Sequence, residues 1–456
     1  MRKQIILALC FGLCIASCKK DDSVNGSDGE VTRNLLLDSD LTETLTTASN
    51  GVGINHFVLP ESNDFGNIPQ DPNNPISSEK VELGQLLYHE TGLALNPMKE
   101  ISEGTYSCAS CHFASAGFQA GRFQGISEGG IGFGVNGEGR VKGGLYQGSE
   151  LDVQPIRTPT AMNGAYQKVM LWNGQFGATS VNEGTENQWT EGTPIETNSL
   201  GFEGLETQAI AGLGVHRMEV NTDFFTKYPT YQEMFDQAFA DTDVPERYTL
   251  KNAGLAIAAY ERTLFANQAP FQKWLRGDEL ALSDLEKEGA ILFFGKANCG
   301  NCHNGPALNS MEFHSYGMKD LSECPEEVFQ PNLAATELGR GGFTKIEADN
   351  YKFKVPQLYN MVDSPFFGHG SSFRNVRDVV IYKNIGLAES SSVPSSHLAE
   401  DFIPLNLTNN EVNAITAFLE NGLRDPNLKR YEPESLPSGN CFPFNDPLAA
   451  NELGCN

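Results

Sequence analysis

The chain has 456 residues, of which 39% are hydrophobic and 20% charged, enough apolar material for two sizeable cores. Its formal net charge of -26 excludes a nucleic-acid partner, because binding phosphates requires a basic surface. The same acidity keeps an exported protein soluble and suits a basic protein partner.

In chain order, Arg2 and Lys3 precede the apolar run IILALCFGLCIAS, which is too short to span a bilayer and reads as a secretory signal over residues 1–17. The segment IASC, ending at Cys18, resembles the lipobox of bacterial lipoproteins, which implies cleavage before Cys18 and its acylation. Residues 18–50, led by KKDDSVNGSDGE, read as a flexible, lipid-anchored tether. No later segment is apolar for long enough to cross a membrane. The expectation is an exported protein, periplasmic or held at the outer membrane, that meets the bilayer only through a lipid at Cys18. CKKDD also looks like the acidic export tags of surface-displayed lipoproteins, which leaves the side of the membrane open.

EKVELGQLLYHE predicts a helix with Val81, Leu83, Leu86 and Leu87 facing inward, ahead of the motif SCASCH with Cys108, Cys111 and His112. The glycine-rich GGIGFGVNGEGR lacks the preceding strand and following helix that a nucleotide loop needs. PTYQEMFDQAF, with a capping box from Thr230 to Glu233, and NAGLAIAAYERTLF predict two more helices. DTDVPERYT interrupts this pattern, and the domain boundary is placed there, giving an N-terminal domain over 51–246 and a C-terminal domain over 247–456. In the second domain, SDLEKEGAILFF has a capping box from Ser283 to Glu286 and an apolar face of Leu285, Ile291 and Leu292. It leads to NCGNCHNG, with Cys299, Cys302 and His303. TNNEVNAITAFLE repeats the device with Thr408 and Glu411, then Val412, Ile415, Phe418 and Leu419. A helix before the motif and one closing the lobe is the cytochrome c plan, so the expected fold is mainly α, two cytochrome c-like haem domains with long loops.

The two C-x-x-C-H motifs allow a redox disulfide, zinc or covalent haem, and each makes a different demand. A thioredoxin-type disulfide has no need of the histidine, and zinc needs further Cys or His ligands at short spacing, whereas none follows the motif's own His112 before His216. Haem c uses every residue: the cysteine sulfurs form thioethers and the histidine reaches the iron. Two copies therefore imply two covalently bound haem c groups, at Cys108 and Cys111 and at Cys299 and Cys302, with His112 and His303 as proximal ligands. Cys324, Cys441 and Cys455 remain, and the simplest bridge joins the last two.

ELGQLLYHETGLAL, SCASCH, IRTPTAMNGAY, LWNGQF, LETQA, AIAAYERTL, GAILFFGKANCGNCHNGP and YKFKVPQLYNMVDSPFFGHGSSFRNVRDVVIY follow one another in an order that resembles the bacterial di-haem cytochrome c peroxidases and their MauG-like relatives. The resemblance implies peroxide cleavage at the first haem, electrons relayed by the second, and a tryptophan between them, here Trp172. It makes Gln208 the pocket glutamine and Glu219 the acid/base, with His216 as the alternative. The loop FASAGFQAGRFQGISEGGIGFG lacks the histidine that blocks this iron in many members, which implies an open first site. Tyr382 stands where the resemblance places the sixth ligand of the second haem, with Met318 as rival, and His369 supports the region between the haems. One calcium ion between the lobes is implied, although IRTPT lacks the expected asparagine and only Pro356 remains of its setting. VNEGTENQWTEGTPIETNSLGF is an insertion expected to form a lid or partner loop. The implied partners are hydrogen peroxide, a small cytochrome c or cupredoxin donor and, at most, a second copy of the chain. The implied activity is reduction of peroxide to water. The alternatives are a MauG-like oxidase acting on a protein or small molecule, and a non-enzymatic di-haem electron carrier.

Overall fold

The computed structural model describes residues 27–330 and 334–455. The expected signal peptide and Cys18 lie outside them. Helix α1 (Ser27–Ala48) buries Leu41 and Leu45 completely, and Asp38 on the same helix pairs with the buried Lys287 at 2.6 Å. The expected tether through residue 50 is therefore corrected: apolar side chains at the C-terminal end of this stretch suffice to dock a helix.

The first lobe is built on α2 (Ser78–His89), capped by Ser77, and α3 (Gly204–Val215). Helix α4 (Pro229–Ala238) packs on α2. Its cap is Tyr228 with Pro229 at the first turn, so the expected Thr230 capping box gives way to a start one residue earlier, where the proline ring already fixes φ. Helix α5 (Leu250–Glu261), capped by Thr249, packs against both α2 and α3. This corrects the boundary placed after residue 246, since α5 closes the first lobe.

The second lobe repeats the arrangement with α6 (Asp284–Phe294), which α1 covers, α7 (Val376–Ile385) and α8 (Asn409–Ala417). Both expected capping boxes, Ser283 with Glu286 and Thr408 with Glu411, are formed. In each lobe a glycine lets the entry helix meet the backbone of the closing helix. A Cβ on Gly84 of α2 would lie 2.0 Å from the Ala256 carbonyl oxygen of α5, and one on Gly289 of α6 would lie 2.0 Å from that of Ala414 in α8. The close crossing sets which face of α6 is buried: Gly289, Ala290, Phe293 and Phe294 point inward, while Leu285 is left 47% exposed and Ile291 and Leu292 sit on the flank.

Strand is confined, among the described residues, to two antiparallel pairs. β1 (Gly130–Ile131) and β2 (Val141–Lys142) turn the glycine-rich stretch into a hairpin. β3 (Phe313–His314) pairs with β4 (Phe353–Lys354), opposing Phe313 to Lys354 and His314 to Phe353. One apolar core runs continuously through both lobes. Cys441 and Cys455 form the expected disulfide, and Cys324 is free.

Candidate functional site

Each C-x-x-C-H segment is a single tight turn, Cys108–Ser110 and Cys299–Asn301, that presents two half-buried thiols and a histidine. The two histidines are held alike. His112 Nδ1 lies 3.2 Å from the Phe118 carbonyl oxygen and His303 Nδ1 lies 3.1 Å from that of Leu308. A hydrogen on Nδ1 leaves the Nε2 lone pair free, the tautomer an iron ligand needs. Burial pushes both imidazoles down to about 4, which keeps them neutral at physiological pH.

Around the first motif the structure gathers polar groups in excess of their partners. Thr158 Oγ1 and Cys111 Sγ both fall about 3 Å from where Gly125 would carry a Cβ, at 3.0 and 3.1 Å. Among the described residues Thr158 Oγ1, Tyr106 Oη, Arg122 Nε and Arg217 Nη2 are buried without a hydrogen-bond partner. Buried donors of this kind require an acceptor, and the carboxylates of a haem supply one, so the residues present fit the group.

His216 caps the C-terminal end of α3, and its Nδ1 lies 2.7 Å from Asp152 Oδ2. Burial acts to lower the His216 pKa, but the charge of Asp152 and the hydrogen bond to it outweigh that, so it lies above the ordinary value. Its charge is felt at His112, and that of Asp152 at Cys111, which places the pair beside the first motif. Arg217 follows at φ 56°, a left-handed conformation unusual for arginine, and its Nε donates to Glu128 at 2.6 Å. This turn reverses the chain. Met218 is buried, and Glu219 lines a polar groove with Asn96, Glu103 and Asp223, its carboxylate accepting from Asn221. Of the two acid/base candidates, His216 is thus paired with a buried carboxylate, whereas Glu219 lines a polar groove. Gln208 lies on the same helix, with its Nε2 next to Gly212, 3.7 Å from where that residue would carry a Cβ.

Trp172 is bonded to backbone from two distant segments. Its indole Nε1 donates to the Arg157 carbonyl oxygen at 2.8 Å, and its own carbonyl accepts from Lys354 N on β4 at 2.7 Å. It lines a cavity of about 120 Å³ together with Pro159 and Pro356, whose carbonyls reach toward His112 and His303 respectively. His369 stacks on Phe353 with ring centroids 3.6 Å apart, meets Trp172 edge-on at 6.4 Å, and bonds Asp320 through Nε2 at 3.0 Å. The insertion is fastened to the Trp172 loop: Asn182 donates to the Gly174 and Gly177 carbonyls, and Arg340 bridges Asn182 to Asn173 and Gly174.

The same cavity does not fit calcium. Arg157 and Lys354 are buried beside it, and no carboxylate lines it. Lys354 Nζ donates to Gln167 Oε1 and the Val169 carbonyl, while Arg157 donates to the Ala120 and Arg122 carbonyls and to Ser364. The oxygens a hard cation needs are already engaged by nitrogen donors.

Tyr382 and Met318, the two candidates for sixth ligand of the second site, are both in contact with other protein atoms. Tyr382 Oη donates to the Tyr316 carbonyl and accepts from Glu389 N, and Met318 Sδ packs against Gly368. His314 Nε2 lies 3.7 Å from Cys302 Sγ and 3.1 Å from Glu312. These three could hold a metal ion were Cys302 not taken by a thioether.

Residues 78–280 match the family model described as di-haem cytochrome c peroxidase. The chain is similar to the cytochrome c peroxidase Ccp of Escherichia coli, 29% identical over 298 residues that span 65% of this chain and 51% of that protein. It is also similar to the methylamine utilization protein MauG of Methylophilus methylotrophus, 26% identical over 370 residues, 80% of this chain and 87% of the relative. Among solved structures, a MauG-like protein associated with microbial copper homeostasis shares the fold, with TM-score 0.53 and 21% identity over 81% of this chain and 95% of that one. These matches bear out the resemblance read from the motifs: residues 78–280 match the di-haem cytochrome c peroxidase family model, and most of the chain is similar to cytochrome c peroxidase and MauG proteins.

Proposed function

We propose that this protein reduces hydrogen peroxide to water at the first C-x-x-C-H site, with electrons delivered by a small redox protein at the second. The observation that carries the reading is the His216–Asp152 pair beside Cys111 and His112, within a setting of unpartnered buried donors. A haem bound there supplies an iron that cleaves the O–O bond. The chain's own residues supply the rest. His216 accepts the proton from the near peroxide oxygen and returns it to the far one, so that water leaves rather than hydroxide. Asp152 fixes the imidazole tautomer and stabilises its protonated form. Gln208 orients the peroxide, and Trp172, bonded to backbone from both lobes, is the relay between the sites.

No helix among the described residues is long and apolar enough to cross a membrane; export and a lipid anchor are inferred from the N-terminal sequence alone. The deciding experiment adds peroxide to the haem-loaded protein with and without a reduced cytochrome or cupredoxin. Rapid donor oxidation supports the proposal. A persistent oxidised optical spectrum that decays only with an organic or protein substrate would favour the MauG-like reading, and no reaction at all would leave an electron carrier.

A further inference from the structure

Gly84 of α2 and Ala256 of α5 touch where the two helices cross, and one helical turn further along each helix stands a tyrosine, Tyr88 and Tyr260. Four residues bring a side chain back to the same face, so the close crossing sets the two buried rings against each other, with centroids 5.3 Å apart. Tyr88 Oη donates to the carbonyl oxygen of His112 at 2.8 Å. Its ring lies 6.3 Å from that of Phe118, whose own carbonyl faces His112 Nδ1. The tyrosine pair thus begins on the backbone of the first proximal histidine. Tyr260 Oη donates to the Tyr431 carbonyl oxygen at 2.8 Å. Burial holds both phenols well above their ordinary pKa, so each stays neutral.

His89 completes the cluster, its ring meeting those of Tyr88 and Tyr260 at 5.1 and 6.0 Å. Its Nδ1 lies 2.8 Å from the Gln85 carbonyl oxygen, which places the hydrogen there and leaves Nε2 an acceptor. That Nε2 is buried and, among the described residues, has no hydrogen-bond partner. A buried acceptor left empty calls for a reason. Packing alone would be served by phenylalanine at all three positions, as the neighbouring Phe118 and Phe442 show. Glu261, beside Tyr260, is buried as well, and burial pushes its carboxyl up to about 8, which leaves it mostly protonated at neutral pH. The neutral imidazole is therefore the available base.

We propose that Tyr260 is a one-electron store for the first site, reached through Tyr88, with His89 as its proton acceptor. The proposal rests on the peroxide reading of that site. Once hydrogen peroxide has oxidised the site, one electron leaves the Tyr260 ring and passes through the Tyr88 ring to it. The site is reduced by one equivalent and Tyr260 is oxidised by one. The Tyr260 O–H bond breaks and its proton forms an Nε2–H bond on His89, leaving a neutral phenoxyl radical and an imidazolium. Tyr88 keeps its proton and its hydrogen bond to His112 throughout. An electron from the redox-protein donor, with the proton returned by His89, restores the phenol. An oxidising equivalent is thereby held inside the core while the donor is scarce.

The test uses full-length protein with both haem adducts confirmed by mass spectrometry, mixed with hydrogen peroxide without a donor and rapidly frozen. Electron paramagnetic resonance is expected to show a tyrosyl radical, whose hyperfine splitting collapses in protein grown on ring-deuterated tyrosine. With both adducts attached, Tyr260→Phe is expected to lose the signal and Tyr88→Phe to delay it. His89→Phe keeps an aromatic ring without the acceptor and is expected to lower the radical yield. Tyr359→Phe, which alters a buried tyrosine of neither helix, should keep the wild-type signal. No tyrosyl radical in the wild type, or one that survives in Tyr260→Phe, overturns the store, and peroxide-driven oxidation of a reduced donor by the same preparation leaves the proposed function standing. Protein that forms no radical and oxidises no donor overturns both.

Discussion

His216 Nδ1 and Asp152 Oδ2 are 2.7 Å apart, a pair that joins the C-terminal cap of α3 to a loop 64 residues earlier. A base acts when neutral, and the His216 pKa lies above its ordinary 6.5. Peroxide kcat/KM should therefore rise with pH through a limb above that value. Asp152→Asn removes the attraction while burial remains, so the limb should move to lower pH. His216→Ala should lower kcat/KM by about 10²–10⁴-fold, the usual worth of a positioned acid/base. Steady-state pH profiles of the three proteins check this, and an unmoved limb in Asp152→Asn would remove His216 from the chemistry.

The same pair has a signature in stability. The His216 pKa is raised, so its contribution is fully present below the unfolded value and lost as pH rises through the folded one. The Asp152 pKa is lowered, so its contribution is lost as pH falls through its folded value. Thermal melts should show the difference between wild type and Asp152→Asn narrowing at both ends of this window. A difference constant across pH would mean that the substitution acts through packing alone.

Trp172 is tied to Arg157 through its indole hydrogen and to Lys354 through its carbonyl. Trp172→Phe keeps an aromatic ring but leaves the Arg157 carbonyl without this donor, at a cost of about 1 kcal/mol. Rapid mixing should show the first reaction with peroxide at its wild-type rate and donor-supported turnover slowed. Equal losses in both phases would assign the tryptophan to packing.

Much of this site was legible in the sequence because haem attachment is local: two thiols and a histidine within five residues need no tertiary information. Capping boxes at Ser283 and Thr408 are local in the same way. The misplaced features all depend on something the linear pattern lacks. A single left-handed residue, Arg217, stands between His216, paired with Asp152, and Glu219, which lines a polar groove. The lobe to which α5 belongs is set by a backbone contact at Gly84, and a missing side chain leaves no hydrophobic period to read.

That contact makes its own prediction. In Gly84→Ala or Gly289→Ala the new methyl would fall 2.0 Å from a carbonyl oxygen of the facing helix, and neither helix can yield without shifting its whole face. Overpacking of this kind costs roughly 1–3 kcal/mol, occasionally more. Each variant should melt earlier than wild type and load less haem into its own lobe, Gly84→Ala into the first and Gly289→Ala into the second, as peptide mass spectrometry would report. Loss of both haems equally would show that the shared core, rather than each crossing, governs assembly.

The last prediction concerns the cavity between the lobes. Calcium takes six to eight oxygen ligands, whereas here the lining side chains include two buried cations and no carboxylate. A unit charge about 4 Å from another opposes it by about 4 kcal/mol at an effective dielectric of about 20, and a divalent ion doubles that. Burial pushes the Lys354 amine down to about 7, so its charge is lost only above that pH, while the guanidinium of Arg157 persists. Arg157 and Lys354 thus supply, from the chain itself, the positive charge that an ion would bring to the interface. Elemental analysis of dialysed holoprotein should find no stoichiometric calcium below or above the Lys354 value, and a chelator should leave both the optical spectrum and peroxide turnover unchanged. Turnover that a chelator abolished and calcium alone restored would mean that an oxygen cage forms elsewhere between the lobes, and that the two cations are not its replacement.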